Sequence, residues 1–123
     1  MSDCSDTGIK VINHSLNEVA NFLSLCDIFI GNDSSLMNMA VALNIPTLSI
    51  VGPTDPKRTG PYGDKHGFIS LNLDCMPCFD RGYSEKCPHH NCMNQLYPEI
   101  VLNEMIKYIE NNEILRNKFI KHY

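Results

Sequence analysis

Apolar and polar positions occur in short blocks of strand and helix character. Three apolar runs, residues 9–12, 27–30 and 47–51, and the alternating run 68–73 are typical of β-strands. Helical patterns lie between the earlier runs, and such an order indicates parallel strands joined by right-handed crossovers. The pattern predicts an α/β fold, with a Rossmann-like parallel sheet of four strands and flanking helices, in a single domain over residues 1–123.

Boundary signals mark several of the helices. Ser15 and Glu18 have the spacing of a capping box, which predicts where the first helix begins. Pro98 stands at a favourable first position of a later helix. A last helix is predicted over residues 113–122, with its apolar side chains facing inward: Ile114, Leu115, Phe119 and Ile120. Residues 52–63 are so rich in turn formers that they predict an irregular loop after the third strand.

The rest of the chain is organised around residues 28–40, where a buried strand turns sharply into an almost wholly apolar helix. Asp33 or Ser34 is placed to cap that helix, and Asn44 and Pro46 are placed to end it. The start of a helix presents unpaired N–H groups and the positive end of a dipole, which suit a phosphate. The turn is therefore a candidate anion site, and a plain helix cap is the alternative.

Composition narrows the classes of function. A formal net charge of -4 lacks the basic footprint of a nucleic-acid-binding protein, so no nucleic acid is expected as a partner. The chain has no apolar run of about 18 residues, so no transmembrane segment is predicted. Its acidic, polar start does not resemble a signal peptide, and a cytoplasmic location is therefore expected.

Cysteines mark residues 74–93 as a Cys-rich loop. Four of them have the spacing C-x2-C-x8-C-x4-C and are candidate ligands for a structural zinc ion: Cys75, Cys78, Cys87 and Cys92. His89 or His90 could replace one of them. Reduced thiols and a disulfide remain as alternatives, because the later spacings are not standard for zinc. Cys26, outside this cluster, is predicted to be a core residue.

Four blocks of sequence resemble the signature of glycosyltransferase family nine, the ADP-heptose–lipopolysaccharide heptosyltransferase family. They occur in the family's order, at residues 31–43, 45–63, 75–93 and 98–101. The resemblance implies part of the C-terminal, donor-binding half of a two-domain GT-B glycosyltransferase. Such enzymes bind a nucleotide-diphosphate-sugar donor, here ADP-heptose-like, and transfer the sugar with inversion. They need no catalytic metal and no other cofactor.

The resemblance also assigns residues of the turn by position. Asp33 would accept hydrogen bonds from hydroxyls of the donor sugar, and the amides of Ser34, Ser35 and Leu36 would hold the diphosphate. The family usually has glycine at the position of Ser35 and histidine at that of Asn38. Serine restricts the approach of the backbone to a phosphate, and asparagine keeps hydrogen-bond donors but never becomes charged. Both departures bear on the strength and identity of donor binding.

The resemblance implies that the acceptor-binding half is missing here, together with the general base expected on it. No catalytic residue is therefore assigned, and the chain alone is not expected to turn over. The alternative is a non-catalytic remnant or interaction module, stabilised by its Cys-rich loop. A sheet without its first strands leaves an open edge, which predicts a homodimer. Three basic residues near the end predict peripheral contact with the inner face of the inner membrane: Arg116, Lys118 and Lys121.

Overall fold

A computed structural model describes residues 8–82 and 84–120. Its centre is a parallel sheet of three strands in the order β1-β2-β3. The strands are β1 (Phe29–Asn32), β2 (Thr47–Ile50) and β3 (Gly67–Ile69). Ile30 lies beside Leu48, and Leu48 lies beside Gly67. This arrangement confirms the predicted α/β class and the Rossmann-like parallel sheet.

Six α-helices accompany the sheet within the described ranges. They are α1 (Leu16–Ser24), α2 (Ser35–Ala42), α3 (Pro56–Thr59), α4 (Asn91–Asn94), α5 (Pro98–Asn111) and α6 (Glu113–Phe119). The predicted capping box begins α1, where the Glu18 carboxylate accepts hydrogen bonds from the hydroxyl and the N–H of Ser15. These two bonds lower the pKa of Glu18. Pro98 occupies the start of α5, as the sequence indicates.

Helices cover both faces of the sheet, because Thr47, Leu48 and Ser49 are all buried although successive side chains of a strand point to opposite sides. Leu48 and Ile69 form one core cluster with Leu96, and this cluster packs against apolar residues that include several from α5. Helix α2 packs on β1 and β2. Its Met37 and Ala40 have no exposed surface, so the helix that follows the polar turn is firmly anchored.

The strand predictions are corrected in three places. Residues 9–12 form no strand and their apolar side chains are exposed, because nothing among the described residues pairs with them. The sheet described here therefore has three strands rather than four. The second strand begins at Phe29, two residues later than predicted. The alternating run 68–73 gives only the end of β3, since Asn72 has a φ of 55°, outside the strand region.

Further corrections concern the loop after β2 and the last helix. Asp55 accepts a hydrogen bond from the Lys57 N–H at 3.0 Å, and this cap starts the single turn of α3 inside the predicted irregular loop. In α6 only Leu115 is buried. The other apolar side chains of the predicted helix are exposed, against the prediction: Ile114, Phe119 and Ile120, the last of which lies just beyond the end of α6. Helix α6 packs mainly on α5, and this contact does not cover the remaining apolar side chains. Residues 121–122 of the predicted helix, including Lys121, lie outside the described residues.

Cys26 is exposed, so its prediction as a core residue is wrong. Helix α1 ends at Ser24, and Cys26 lies just beyond it, where its thiol donates to the Phe22 carbonyl. Within the described ranges, β1 pairs with β2 alone, and its outer edge has no neighbouring strand. The homodimer through this edge stays a prediction. No helix in the part of the chain described is long and apolar enough to cross a bilayer.

Candidate functional site

The polar turn lies between the end of β1 and the start of α2. Ser34 is the residue that caps the helix: its backbone is extended, and its hydroxyl oxygen accepts a hydrogen bond from the Met37 N–H at 3.5 Å. Asn44 has the left-handed conformation expected of a residue just past a helix end, with a φ of 62°. Because Ser34 caps α2, the carboxylate of Asp33 is left for other contacts.

Asp33 is half-buried, and its Oδ2 accepts a hydrogen bond from the Thr54 hydroxyl at 2.8 Å. Thr54 follows β2, so the contact joins the carboxyl ends of two neighbouring strands. These ends meet at the edge of the sheet where ligands bind in open α/β folds. The described residues place no other hydrogen-bond donor on this carboxylate, which leaves Oδ1 as an acceptor. Sequence reasoning missed Thr54, which lies in the loop after β2 and not at the strand end itself.

The first amides of α2 are not hydrogen-bonded to any described residue. The hydrogen bonding of the helix begins with the Asn38 N–H, which donates to the Ser34 carbonyl at 3.2 Å. Among the described residues, the N–H groups of Ser34, Ser35 and Leu36 have no acceptor, and all three residues are exposed. Unpaired amides at the positive end of a helix dipole form an anion-binding surface. The predicted site residues therefore lie together on one turn.

Ser35 and Asn38 are the two positions at which the resemblance implies a departure from the family's usual glycine and histidine. Ser35 has a helical backbone and is not among the described non-glycine residues with positive φ, which are Asn44, Asn72 and His90. The conformation at this position therefore does not require glycine, and only a close approach to a ligand would. Asn38 is exposed and lies one helical turn after Ser34 and Ser35. Its side chain is therefore on the same side of the helix as those two residues, whose N–H groups have no acceptor among the described residues.

The four clustered cysteines surround one cavity of about 350 Å³, together with His89. All four are free thiols. Cys87 Sγ lies 3.7 Å from His89 Nδ1 and accepts a hydrogen bond from the His90 N–H at 3.3 Å. As arranged in the described residues, no three His, Cys, Asp or Glu side chains are close enough to hold one metal ion. The predicted zinc site stays a prediction, with the thiols around one cavity but not converged.

The Cys-rich loop packs against the loop that carries Thr54. The N–H groups of Cys78 and Phe79 both donate to the Pro53 carbonyl, at 2.9 and 3.0 Å. Asp80 forms an ion pair with Arg58. Cys92 is buried, and this burial is the main reason that the pKa of its thiol is raised. The polar turn and the Cys-rich loop are thus separate regions connected through residues 53–58.

Comparisons with known proteins agree with the resemblance in the sequence. The family model for glycosyltransferase family 9 (heptosyltransferase) matches residues 11–89. Lipooligosaccharide heptosyltransferase 2 of Campylobacter jejuni serotype O:2 is 32% identical over 90% of this chain and 32% of its own length. The corresponding protein of serotype O:6 is 36% identical over 85% of this chain and 30% of its own.

A third relative is lipopolysaccharide heptosyltransferase 1 of Pseudomonas aeruginosa, 36% identical over 54% of this chain and 19% of its own length. The chain spans about a third of the length of the first two curated relatives. No solved structure matches it.

Proposed function

The chain belongs to glycosyltransferase family 9, and we propose that it is the donor-binding portion of a heptosyltransferase-like enzyme of lipopolysaccharide or surface-glycan synthesis. The donor is a nucleotide-diphosphate sugar of the ADP-heptose type. The single observation that carries the proposal is the turn itself, where unpaired amides and an available carboxylate oxygen lie side by side at the carboxyl edge of a parallel sheet.

Each group of the turn has a role in this proposal. The N–H groups of Ser34, Ser35 and Leu36 bind the diphosphate, whose negative charge grows as it leaves the sugar. Fixed donors that meet a developing charge favour the transition state over the ground state. Asp33 Oδ1 accepts a hydrogen bond from a hydroxyl of the donor sugar. The side-chain amide of Asn38 donates a hydrogen bond to the phosphate that carries the sugar. This arrangement needs no catalytic metal.

Transfer itself requires groups beyond those on this turn. An acceptor hydroxyl must be deprotonated as it attacks, and we assign no residue of this chain to that step. We propose that an acceptor-binding half supplies the general base and the acceptor site, and that the complete enzyme acts at the cytoplasmic face of the inner membrane. In this proposal the residues of this chain bind the donor and do not by themselves complete the transfer.

The second candidate is a non-catalytic remnant or interaction module. Its support is the pair of departures at Ser35 and Asn38, where the family usually has glycine and histidine. Replacing both together, Ser35→Gly with Asn38→His, separates the two candidates. If the double variant binds ADP and the natural chain does not, the result supports a non-catalytic remnant.

A titration with ADP tests the proposal, with backbone amide signals recorded by NMR. We expect saturable shifts at Ser34, Ser35 and Leu36, and smaller shifts with AMP, which lacks the second phosphate. Helix α6 is the control, because its Lys118 pairs with Asp27 at the end of β1 opposite the turn. The amide signals of α6 should not shift. The absence of any change around residues 33–36 at millimolar ADP would contradict the proposal.

A further inference from the structure

Thr54 is the one described residue whose side chain holds the Asp33 carboxylate. Its hydroxyl donates to Asp33 Oδ2 at 2.8 Å, and neither residue is fully exposed. The two are 21 positions apart in sequence and come together only because β1 and β2 are parallel neighbours. A contact of this kind is set by the fold, and its partner atoms lie at the proposed donor-sugar position.

We propose that Thr54 is a positioning residue that fixes the Asp33 carboxylate for the donor sugar, and that the Cys-rich loop holds Thr54 in place through Pro53. The inference rests on the proposed function for the identity of the ligand. It adds a residue to the site and gives the Cys-rich loop a role in it.

The chemistry of threonine suits this role. A β-branched side chain has few χ1 rotamers, so its hydroxyl offers a donor of defined direction. Holding Oδ2 restricts rotation of the Asp33 carboxylate and leaves Oδ1 pointing elsewhere as an acceptor. Because the orientation is set before ligand arrives, less side-chain entropy is lost on binding. Serine retains the hydroxyl, whereas valine has nearly the same shape and no donor.

Thr54 is itself supported from the other side. The carbonyl of Pro53, directly before it, accepts hydrogen bonds from the N–H groups of Cys78 and Phe79 at 2.9 and 3.0 Å. Gly52 is buried, and a Cβ there would lie 2.7 Å from Met93 Sδ, so the Cys-rich loop packs directly on this strand end. Proline fixes its own φ, which limits how far Thr54 can swing. Two consecutive residues, Pro53 and Thr54, therefore connect the Cys-rich loop to the Asp33 carboxylate.

The first test uses the unliganded chain. Scalar couplings at the Asp33 β-protons report its χ1 rotamers in the natural chain, Thr54→Ser and Thr54→Val. Thr59→Val is a matched control, because the Thr59 hydroxyl donates to the Asp55 carbonyl in the same loop and not to Asp33. We expect one dominant rotamer in all but Thr54→Val. A mixture in the natural chain, or an unchanged rotamer in Thr54→Val, would overturn the proposal.

The second test measures affinity for ADP and for an ADP-sugar in the same proteins. Thr54→Val should bind the ADP-sugar about threefold to tenfold more weakly, as expected for one lost hydrogen bond, and bind ADP as before. Thr54→Ser should restore the ADP-sugar affinity. If the natural chain binds both ligands and Thr54→Val binds them equally well, the positioning role fails alone. If the natural chain binds neither, the proposed function fails, and the donor-positioning role with it.

Discussion

The polar turn at residues 33–38 and the Cys-rich loop at residues 74–93 are held in place by different means. The turn leads into α2, whose Met37 and Ala40 are completely buried against the sheet. The Cys-rich loop has only Cys92 buried among its described residues, and depends on hydrogen bonds. In one of these, the Arg81 guanidinium donates to the Pro77 carbonyl at 2.7 Å. The hydrogen-bond donors of the proposed site are thus held by the well-packed helix α2. The Cys-rich loop supports the site from outside.

The largest expected effect is on stability and separates the two regions directly. Met37→Ala removes a side chain with no exposed surface, and we predict a loss of about 2–5 kcal/mol in the free energy of unfolding. Met93→Ala is the matched substitution in the Cys-rich loop, where the side chain is 39% exposed, and should cost less than about 1 kcal/mol. Urea unfolding of both variants measures the difference. Equal losses would show that the two regions are packed alike.

The second prediction concerns what holds the Cys-rich loop. If hydrogen bonds and reduced thiols alone hold the loop, protein purified without added metal contains less than about a tenth of an equivalent of zinc, whereas a structural site would retain about one equivalent. Elemental analysis, with thiol titration of the same sample, makes the measurement. One full equivalent, lost together with stability when a chelator is added, would establish the zinc site and show that a metal ion holds the Cys-rich loop.

The two regions also differ in how far the sequence predicted them. The cap at Ser34 and the burial of α2 follow from local signals, a polar cap before an apolar helix and a left-handed Asn44 after it. The contact from Thr54 to Asp33 could not be predicted, because it depends on strand register and on two side-chain rotamers. Residues 9–12 have a strand-like pattern, but no strand in the described part of the chain pairs with them, and pairing rather than propensity decides whether a strand forms.

A smaller effect is expected where the two regions touch. Gly52→Ala places a Cβ 2.7 Å from Met93 Sδ, the flexible part of an exposed side chain that can move away. Overpacking usually costs about 1–3 kcal/mol, and because the Met93 side chain can move we predict a loss at or below the low end, about 1 kcal/mol in unfolding free energy, with amide shifts at Met93 and Thr54. The double variant Gly52→Ala with Met93→Ala is the control and should recover the loss. A large loss that the second substitution does not relieve would show that Met93 is not the obstruction.

In the proposed site, Asp33 recognises the donor sugar while the helix amides bind the diphosphate. The most direct measurement is calorimetric binding of ADP and an ADP-sugar to the natural chain and Asp33→Asn, with Asp64→Asn as an exposed control. We predict that Asp33→Asn loses about tenfold to a hundredfold in affinity for the ADP-sugar, since a hydrogen bond to a charged group is lost, and keeps its affinity for ADP. Equal affinity of the natural chain and Asp33→Asn for the ADP-sugar would contradict the claim.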